Sequence, residues 1–310
     1  MSRLEVHARE LYHWLNHVQE LCLKRLEGEF MPGRADQFAS SSEERKLMPK
    51  AWLSQLRAFY DRRVRDLDSY DDELATNAYK AAGYSPYWTR QIQQRLLDDI
   101  VGKLMLSPEH NVLDAGCGTG MILQHVAPHV AHIIGIDFSE QMIEIAKRHE
   151  PANATVQREN AASLPFKDKM FDRVLCYSVI LNFLDDDFTW SVLTELVRVT
   201  RNGGLVLVGN VPDYDKQEEQ AELVRKLQKN NTRPRQRCSF LRTISRLENL
   251  WRYRIRRSVQ PSQGNRFYTK DFFRRFAQQS SCDIEILPMN IEGFVYAPFR
   301  FDVRLRPLRR

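Results

Sequence analysis

Apolar side chains recur along this chain with two different spacings. Short, nearly unbroken runs read as strands buried on both faces: Val112-Leu113, Ile133-Ile134-Gly135-Ile136, Val174-Leu175-Cys176 and Leu205-Val206-Leu207-Val208. Between them, apolar positions fall three and four apart with polar residues opposite, the pattern of helices that cover a sheet. The alternation predicts strands near 111–115, 132–137, 154–157, 172–177 and 205–210, with helices near 119–128, 139–149 and 187–200. A repeat of this kind closes as a parallel sheet covered on both faces, an α/β, Rossmann-like, doubly wound architecture. A helix over 86–105 leads into the first strand, and Tyr84, Tyr87 and Trp88 cluster at its start.

The flanks break this rhythm. Leu4, Leu11, Leu15, Val18, Cys22 and Leu26 lie on one face of a helix, and a second helical stretch covers about 51–68. Residues 1–80 are therefore expected to form an N-terminal helical extension. Within it, His13 and His17 have metal-ligand spacing but no third ligand nearby, so they read as surface histidines. The acids between Asp66 and Glu73 read as a solvated turn. Residues 212–267 far exceed the ~2–6 residues of an ordinary connection. Helical patterns at 217–230 and about 239–256 suggest an inserted cap over the strand ends. The core would then comprise 81–211 and 268–310. It resumes with Thr269 as an N-cap, a helix near 270–279 and strands near 283–288 and 299–305.

Composition narrows the class. The chain has 310 residues and 43% hydrophobic content, enough for one sizeable core with additions. No run approaches ~18 apolar residues, so no transmembrane helix is expected. The start, Met1-Ser2-Arg3-Leu4-Glu5, lacks an apolar signal segment. The 5 cysteines are scattered without a C-x-x-C pair, which fits a reducing, cytoplasmic setting and no metal site. The net charge of +6 is unevenly placed: from Arg233 to Arg257 there are nine arginines and one acid, Glu248. Arginine without lysine suits paired hydrogen bonds to phosphate or carboxylate, or else a solvated face.

The candidate chemistry sits between the first two strands. Asp114, Gly116, Gly118 and Gly120 form an Asp-x-Gly-x-Gly-x-Gly loop, and Asp137 ends the next strand. Glycines let backbone approach a ligand closely, and an acid at that strand end can accept from both hydroxyls of a ribose. Asp114 places negative charge where a dinucleotide's pyrophosphate would lie, so a ligand with a cationic end fits better.

At these residues the chain resembles the class I S-adenosylmethionine-dependent methyltransferases. The likeness continues through Asn160-Ala161, through Phe171-Asp172 ahead of the fourth strand, and through Gly203-Gly204 ahead of the fifth. It covers roughly 85–212 and, more loosely, 268–306. Position 160 is usually Asp in that family. The resemblance implies a mostly parallel seven-stranded sheet closed by a C-terminal antiparallel hairpin, with S-adenosylmethionine as cofactor. It implies Gly116, Gly118 and Gly120 beneath the methionine and ribose, Asp114 towards the ammonium and Asp137 on the ribose. Phe138, Asn160 and Ala161 would lie beside the adenine, and Ser178 near the reactive methyl.

The acceptor half is less defined. After the fourth strand comes Ser178-Val179-Ile180-Leu181-Asn182-Phe183, without the Asn-Pro-Pro-aromatic signature of enzymes that methylate planar nitrogens in nucleic acid and protein. Asp213 and Tyr214 are base candidates, with Tyr296 behind them. The expected activity is methyl transfer to oxygen or nitrogen of a small, anionic acceptor, phosphate-bearing or glycosidic. The alternatives are an RNA methyltransferase, a non-catalytic cofactor-binding scaffold, and, for the arginines alone, a peripheral membrane contact.

Overall fold

A computed structural model describes residues 89–230 and 266–308, together with Ser54, Leu56, Arg57, Ala58, Tyr60 and Asp61. Most of the expected extension, the histidine pair, the aromatic cluster at 84–88, and residues 231–265 of the expected cap lie outside them.

Helix α1 (Arg90–Leu104) starts where Thr89 Oγ1 accepts from Ile92 N, and stops at Met105, whose φ of 51° is left-handed. Ile92, Leu96, Leu97, Ile100 and Leu104 bury one face of it. The alternation follows: β1 (Asn111–Ala115), α2 (Met121–Val126), β2 (His132–Asp137), α3 (Glu140–Arg148), β3 (Ala154–Arg158), β4 (Phe171–Tyr177), α4 (Asp186–Val199) and β5 (Thr200–Pro212). Then come α5 (Gln217–Asn230), α6 (Lys270–Gln279), β6 (Cys282–Pro288) and β7 (Arg300–Pro307). Thr269 caps α6, its hydroxyl accepting from Phe272 N at 3.2 Å.

The seven strands form one sheet in the order β3-β2-β1-β4-β5-β7-β6. β1 to β5 pair in parallel, while β7 runs antiparallel to both β5 and β6. One apolar layer joins this sheet to α4, α6 and Leu56; the other joins it to α1, α2 and α3. In the first layer, Phe273 and Phe276 are fully buried. Burial of each such ring contributes roughly 1.5–3 kcal/mol.

Three boundaries differ from expectation: α1 starts at Arg90, capped by Thr89, rather than near 86, and the other two differ for backbone reasons. α2 starts only at Met121, because Gly118 and Gly120 have φ of 55° and 84° and cannot belong to a right-handed turn. β5 starts early, since Thr200 already pairs with Phe171. An irregularity through Gly203, φ 72°, precedes the resumed pairing of Leu205 with Arg173.

β1 pairs with β2 on one side and β4 on the other, so successive connections leave in opposite directions from their boundary. A crevice opens there at the carboxyl ends of the strands, where ligands bind in this architecture.

Candidate active site

The loop leaving β1 is tied to β2 by two backbone bonds, from Gly116 N and Cys117 N to Ile136 O, at 2.7 and 2.9 Å. Its three glycines do different work. At Gly116, φ 86°, an added Cβ would come within 2.4 Å of Val179 Cγ2, so a side chain is excluded by the loop after β4. At Gly118, φ 55°, an added Cβ would meet no heavy atom within 4 Å. That open space belongs to the cavity which Gly116 and Gly118 line. Gly120 does not line it; it abuts α3, where Ala146 Cβ would lie 3.2 Å from an added Cβ.

Asp137 closes β2 at the cavity wall. Its Oδ2 accepts from Gly118 N at 3.1 Å, and its Oδ1 from Ser139 N at 2.8 Å. The carboxylate thus holds the glycine loop in place, and each oxygen keeps a further lone pair. Burial raises its pKa to about 6, opposed by the backbone N–H donors and reinforced by the charge of Asp61. Asp61 itself accepts from Ser139 Oγ at 2.7 Å.

Asp114 lies deeper than the resemblance implies. It is 1% exposed, does not line the cavity, and its Oδ2 is buried without a partner. Burial, then the charge of Asp137, raise its pKa to about 7. The same environment pushes the Cys117 thiol well above its ordinary value, so this cysteine stays neutral.

Phe138, Asn160, Ala161 and Ser178 all line the cavity. Asn160 Oδ1 accepts from Ala162 N at 3.0 Å, which leaves the amide NH2 as the group available to a ligand. The space measures about 1070 Å³ including its open mouth. Several of its walls were not singled out in the sequence. Leu56 and Tyr60, four apart on a helical stretch, come from far upstream, and Tyr60 meets Phe138 edge-on at 6.1 Å. Phe183 and Phe188 form an edge-on pair at 4.9 Å, and Glu159, Asn182 and Val179 complete the rim. The available signals were the helical spacing over 51–68 and the aromatics following β4. Neither indicates by itself which side chains turn to the crevice. The cavity walls contain no lysine, arginine or histidine among the described residues.

The base candidates are placed elsewhere. Asp213 is buried beside the end of β5, paired with Lys270 Nζ at 2.6 Å and capping the short turn that follows, where its Oδ1 accepts from Asp215 N. Tyr214 is 56% exposed, and neither lines the cavity. The reason is that β5 continues through Pro212, paired with Arg300 of β7, and carries both residues past the crevice. Tyr296 packs beneath Arg300, whose guanidinium lies 5.7 Å from its ring centre, and it too is absent from the cavity wall.

Among the described residues, no helix is long and apolar enough to cross a membrane, and no cluster of three histidine, cysteine or acidic side chains is placed to hold a metal.

Residues 112–204 match a family model described as a methyltransferase domain. Demethylmenaquinone methyltransferase of Streptomyces avermitilis is 29% identical over 157 residues, 49% of this chain and 63% of that protein. The enzyme of the same name from Thermobifida fusca is 32% identical over 162 residues, 49% of this chain and 64% of its own length. The chain thus spans less than two thirds of these relatives. Among solved structures, Haemonchus contortus phosphoethanolamine N-methyltransferase 1 superposes with a TM-score of 0.56 at 11% identity, covering 84% of this chain and 50% of that one. At that identity the likeness is one of fold.

Proposed function

We propose that this chain, whose core belongs to the class I S-adenosylmethionine-dependent methyltransferases, transfers a methyl group from that cofactor to a small acceptor. Asp137 carries the reading: a buried carboxylate at the end of β2, fixed by two backbone N–H groups, on the wall of a cavity floored by a glycine loop. The residues present fit the cofactor. Asp137 has lone pairs left for two ribose hydroxyls, and the backbone at Gly118 has open space beside it. Phe138, Asn160 and Ala161 flank the ends of β2 and β3, where the adenine would lie. Ser178 stands at the end of β4, on the side of the sulfonium. Asp114, buried behind the loop, would act on the cofactor's ammonium through its field rather than by contact.

When bound, S-adenosylmethionine supplies a methyl group made electrophilic by its sulfonium. The chain's own residues bind, orient and keep out water, and positioning accounts for much of the acceleration in a displacement of this kind. The described wall offers no histidine or lysine as a base. With Glu159 as a carboxylate on its rim, it suits an acceptor that arrives as a ready nucleophile, such as a neutral amine, an ionised hydroxyl or an electron-rich ring carbon, or a hydroxyl whose proton Glu159 accepts. Leu56, Tyr60, Phe183 and Phe188 make the remaining wall apolar and aromatic, which favours an acceptor with a flat apolar face. The relatives named for demethylmenaquinone support the same choice.

A second reading, an acceptor bearing phosphate or carboxylate, rests on the nine arginines from Arg233 to Arg257, which lie outside the described residues; Arg300 does not line the cavity, and its Nη1 donates to Gln220 Oε1 and Phe299 O. The Arg300 side chain is buried at the start of β7, with its Nε unpartnered and no carboxylate among the described residues paired to it. Burial lowers its pKa to about 10, so it stays charged at neutral pH.

Calorimetric titration with S-adenosylmethionine and S-adenosylhomocysteine tests the first step. Release of S-adenosylhomocysteine in the presence of quinols, or of phosphorylated amines, then separates the two acceptor classes. Absence of saturable cofactor binding would overturn the proposal.

A further inference from the structure

β4 and β5 are neighbours, and a non-glycine residue in the left-handed region follows β4 and another interrupts β5: Ser178 with φ 61° and Asn210 with φ 57°. Such residues cost about 1–3 kcal/mol each and persist only where their surroundings hold them. Here the two side chains hold each other, Asn210 Nδ2 donating to Ser178 Oγ at 2.8 Å, while Ser178 N donates to Gly209 O at 3.1 Å. Asn210 is held in turn from behind. Its backbone N donates to Asp302 Oδ1 at 2.8 Å, and the other oxygen of that fully buried carboxylate accepts from Lys103 Nζ at 2.7 Å. Lys103 belongs to α1 and also pairs with Asp99. A continuous polar chain therefore runs Lys103–Asp302–Asn210–Ser178, from α1 through β7 and β5 to the end of β4, where Ser178 lines the cavity.

A buried ion pair is a costly way to stabilise a fold; apolar packing of similar volume does as well or better. What it provides is a fixed geometry. We propose that Asn210, anchored by the Lys103–Asp302 pair, is a positioning residue that sets the Ser178 hydroxyl and the Ser178-Val179 turn against the sulfonium end of the cofactor. This rests on the cofactor reading above. With the ribose at β2 and the adenine at β3, the cofactor's remaining part extends towards β1 and β4, and Ser178 is the side chain that ends β4. Asn210 touches Ser178, does not itself line the cavity, and so acts through it.

The test uses Asn210→Gly, which keeps the left-handed backbone without strain and keeps the N–H that Asp302 accepts, so only the amide side chain is lost. Two cofactor analogues serve as probes. S-adenosylhomocysteine lacks the transferable methyl, whereas sinefungin has a carbon in place of the sulfur and an ammonium in place of the methyl. In the variant, the dissociation constant for S-adenosylhomocysteine should stay within about twofold, and that for sinefungin should rise about tenfold, close to 1.4 kcal/mol. Ser178→Gly, which removes the other end of the bond, should show the same discrimination, and the double variant should lose no more than either alone. Ser178→Gly reads the same contrast if Asn210→Gly fails to fold. Equal weakening of both analogues, no weakening, or additive losses would overturn the proposal while leaving the cofactor reading in place. If the parent protein binds neither analogue, the cofactor reading falls and this inference with it.

Discussion

The two halves of the crevice are built by different means. The half at β1, β2 and β3 is made largely from backbone: two left-handed glycines, Gly116 and Gly118, N–H groups fixed on one carboxylate, and a strand end, all within residues 114–161. The half beyond β4 is made from side chains drawn from afar: Leu56 and Tyr60 from upstream, Phe183 and Phe188 after β4, and Asn210 with Asp302 behind Ser178. A backbone-built site is constrained to one ligand, because substitutions there either clash or strain. A side-chain-built site can change its ligand by exchanging walls. One fold can therefore keep its cofactor while its acceptor varies.

The contrast can be broken most directly at Asp137. Asp137→Ala removes the anchor of the Gly118 N–H and, on the proposed cofactor reading, a charged acceptor from two ribose hydroxyls. At about 1.5–3 kcal/mol per bond to charge, cofactor affinity should fall at least a hundredfold by calorimetry. Unchanged affinity would mean that the backbone-built half does not hold a nucleoside.

Next in size is a pH effect at Asp114. Both Asp114 and Asp137 hold their protons to higher pH in the folded chain than in the unfolded one, where an ordinary value of 3.8 applies. The stability they contribute is full below about pH 4 and is lost as pH rises through about 6 and about 7. Asp114→Asn removes the larger part of that loss, at most about 4 kcal/mol for a shift of this size. The melting temperature of the variant should exceed the parent's above pH 7 and approach it only near pH 4. A parallel decline in both proteins would show that Asp114 is better solvated than its burial indicates.

Gly116→Ala probes the contact between the halves. The new Cβ would press on Val179, at a φ that alanine rarely adopts. A loss of roughly 1–3 kcal/mol is expected, seen as a melting temperature lower by several degrees together with weaker cofactor binding. Full stability would mean that the loop after β4 yields freely, and that the two halves are less coupled than their packing implies. The smallest effect is expected at Tyr214→Phe. This ring is exposed and away from the cavity, so methyl transfer should be unchanged within experimental error. A marked fall in the turnover number would return Tyr214 to the site.

The sequence alone indicated a parallel sheet covered on both faces and singled out the residues around the glycine loop. Short unbroken apolar runs between helical stretches suit strands buried on both faces, and glycines beside an acid at a strand end are signals carried by neighbours in the chain. β1, β2 and β4 fall within a residue of the stretches so read, and Gly116, Gly118, Asp137, Phe138, Asn160, Ala161 and Ser178 share one cavity. Tertiary structure alone decided the rest. Asp213 looked available by its place after β5, yet Lys270, fifty-seven positions away, takes its charge. Leu56 and Tyr60 looked like any amphipathic helix until packing turned them onto the crevice. The link from Lys103 to Ser178 joins residues up to 199 positions apart, whose proximity depends on β7 lying between β5 and β6. The physical division is one of range. Backbone conformation and hydrophobic period are set by neighbours in the chain, whereas the partner of a charge or the direction of a ring is set by whatever the completed fold brings against it.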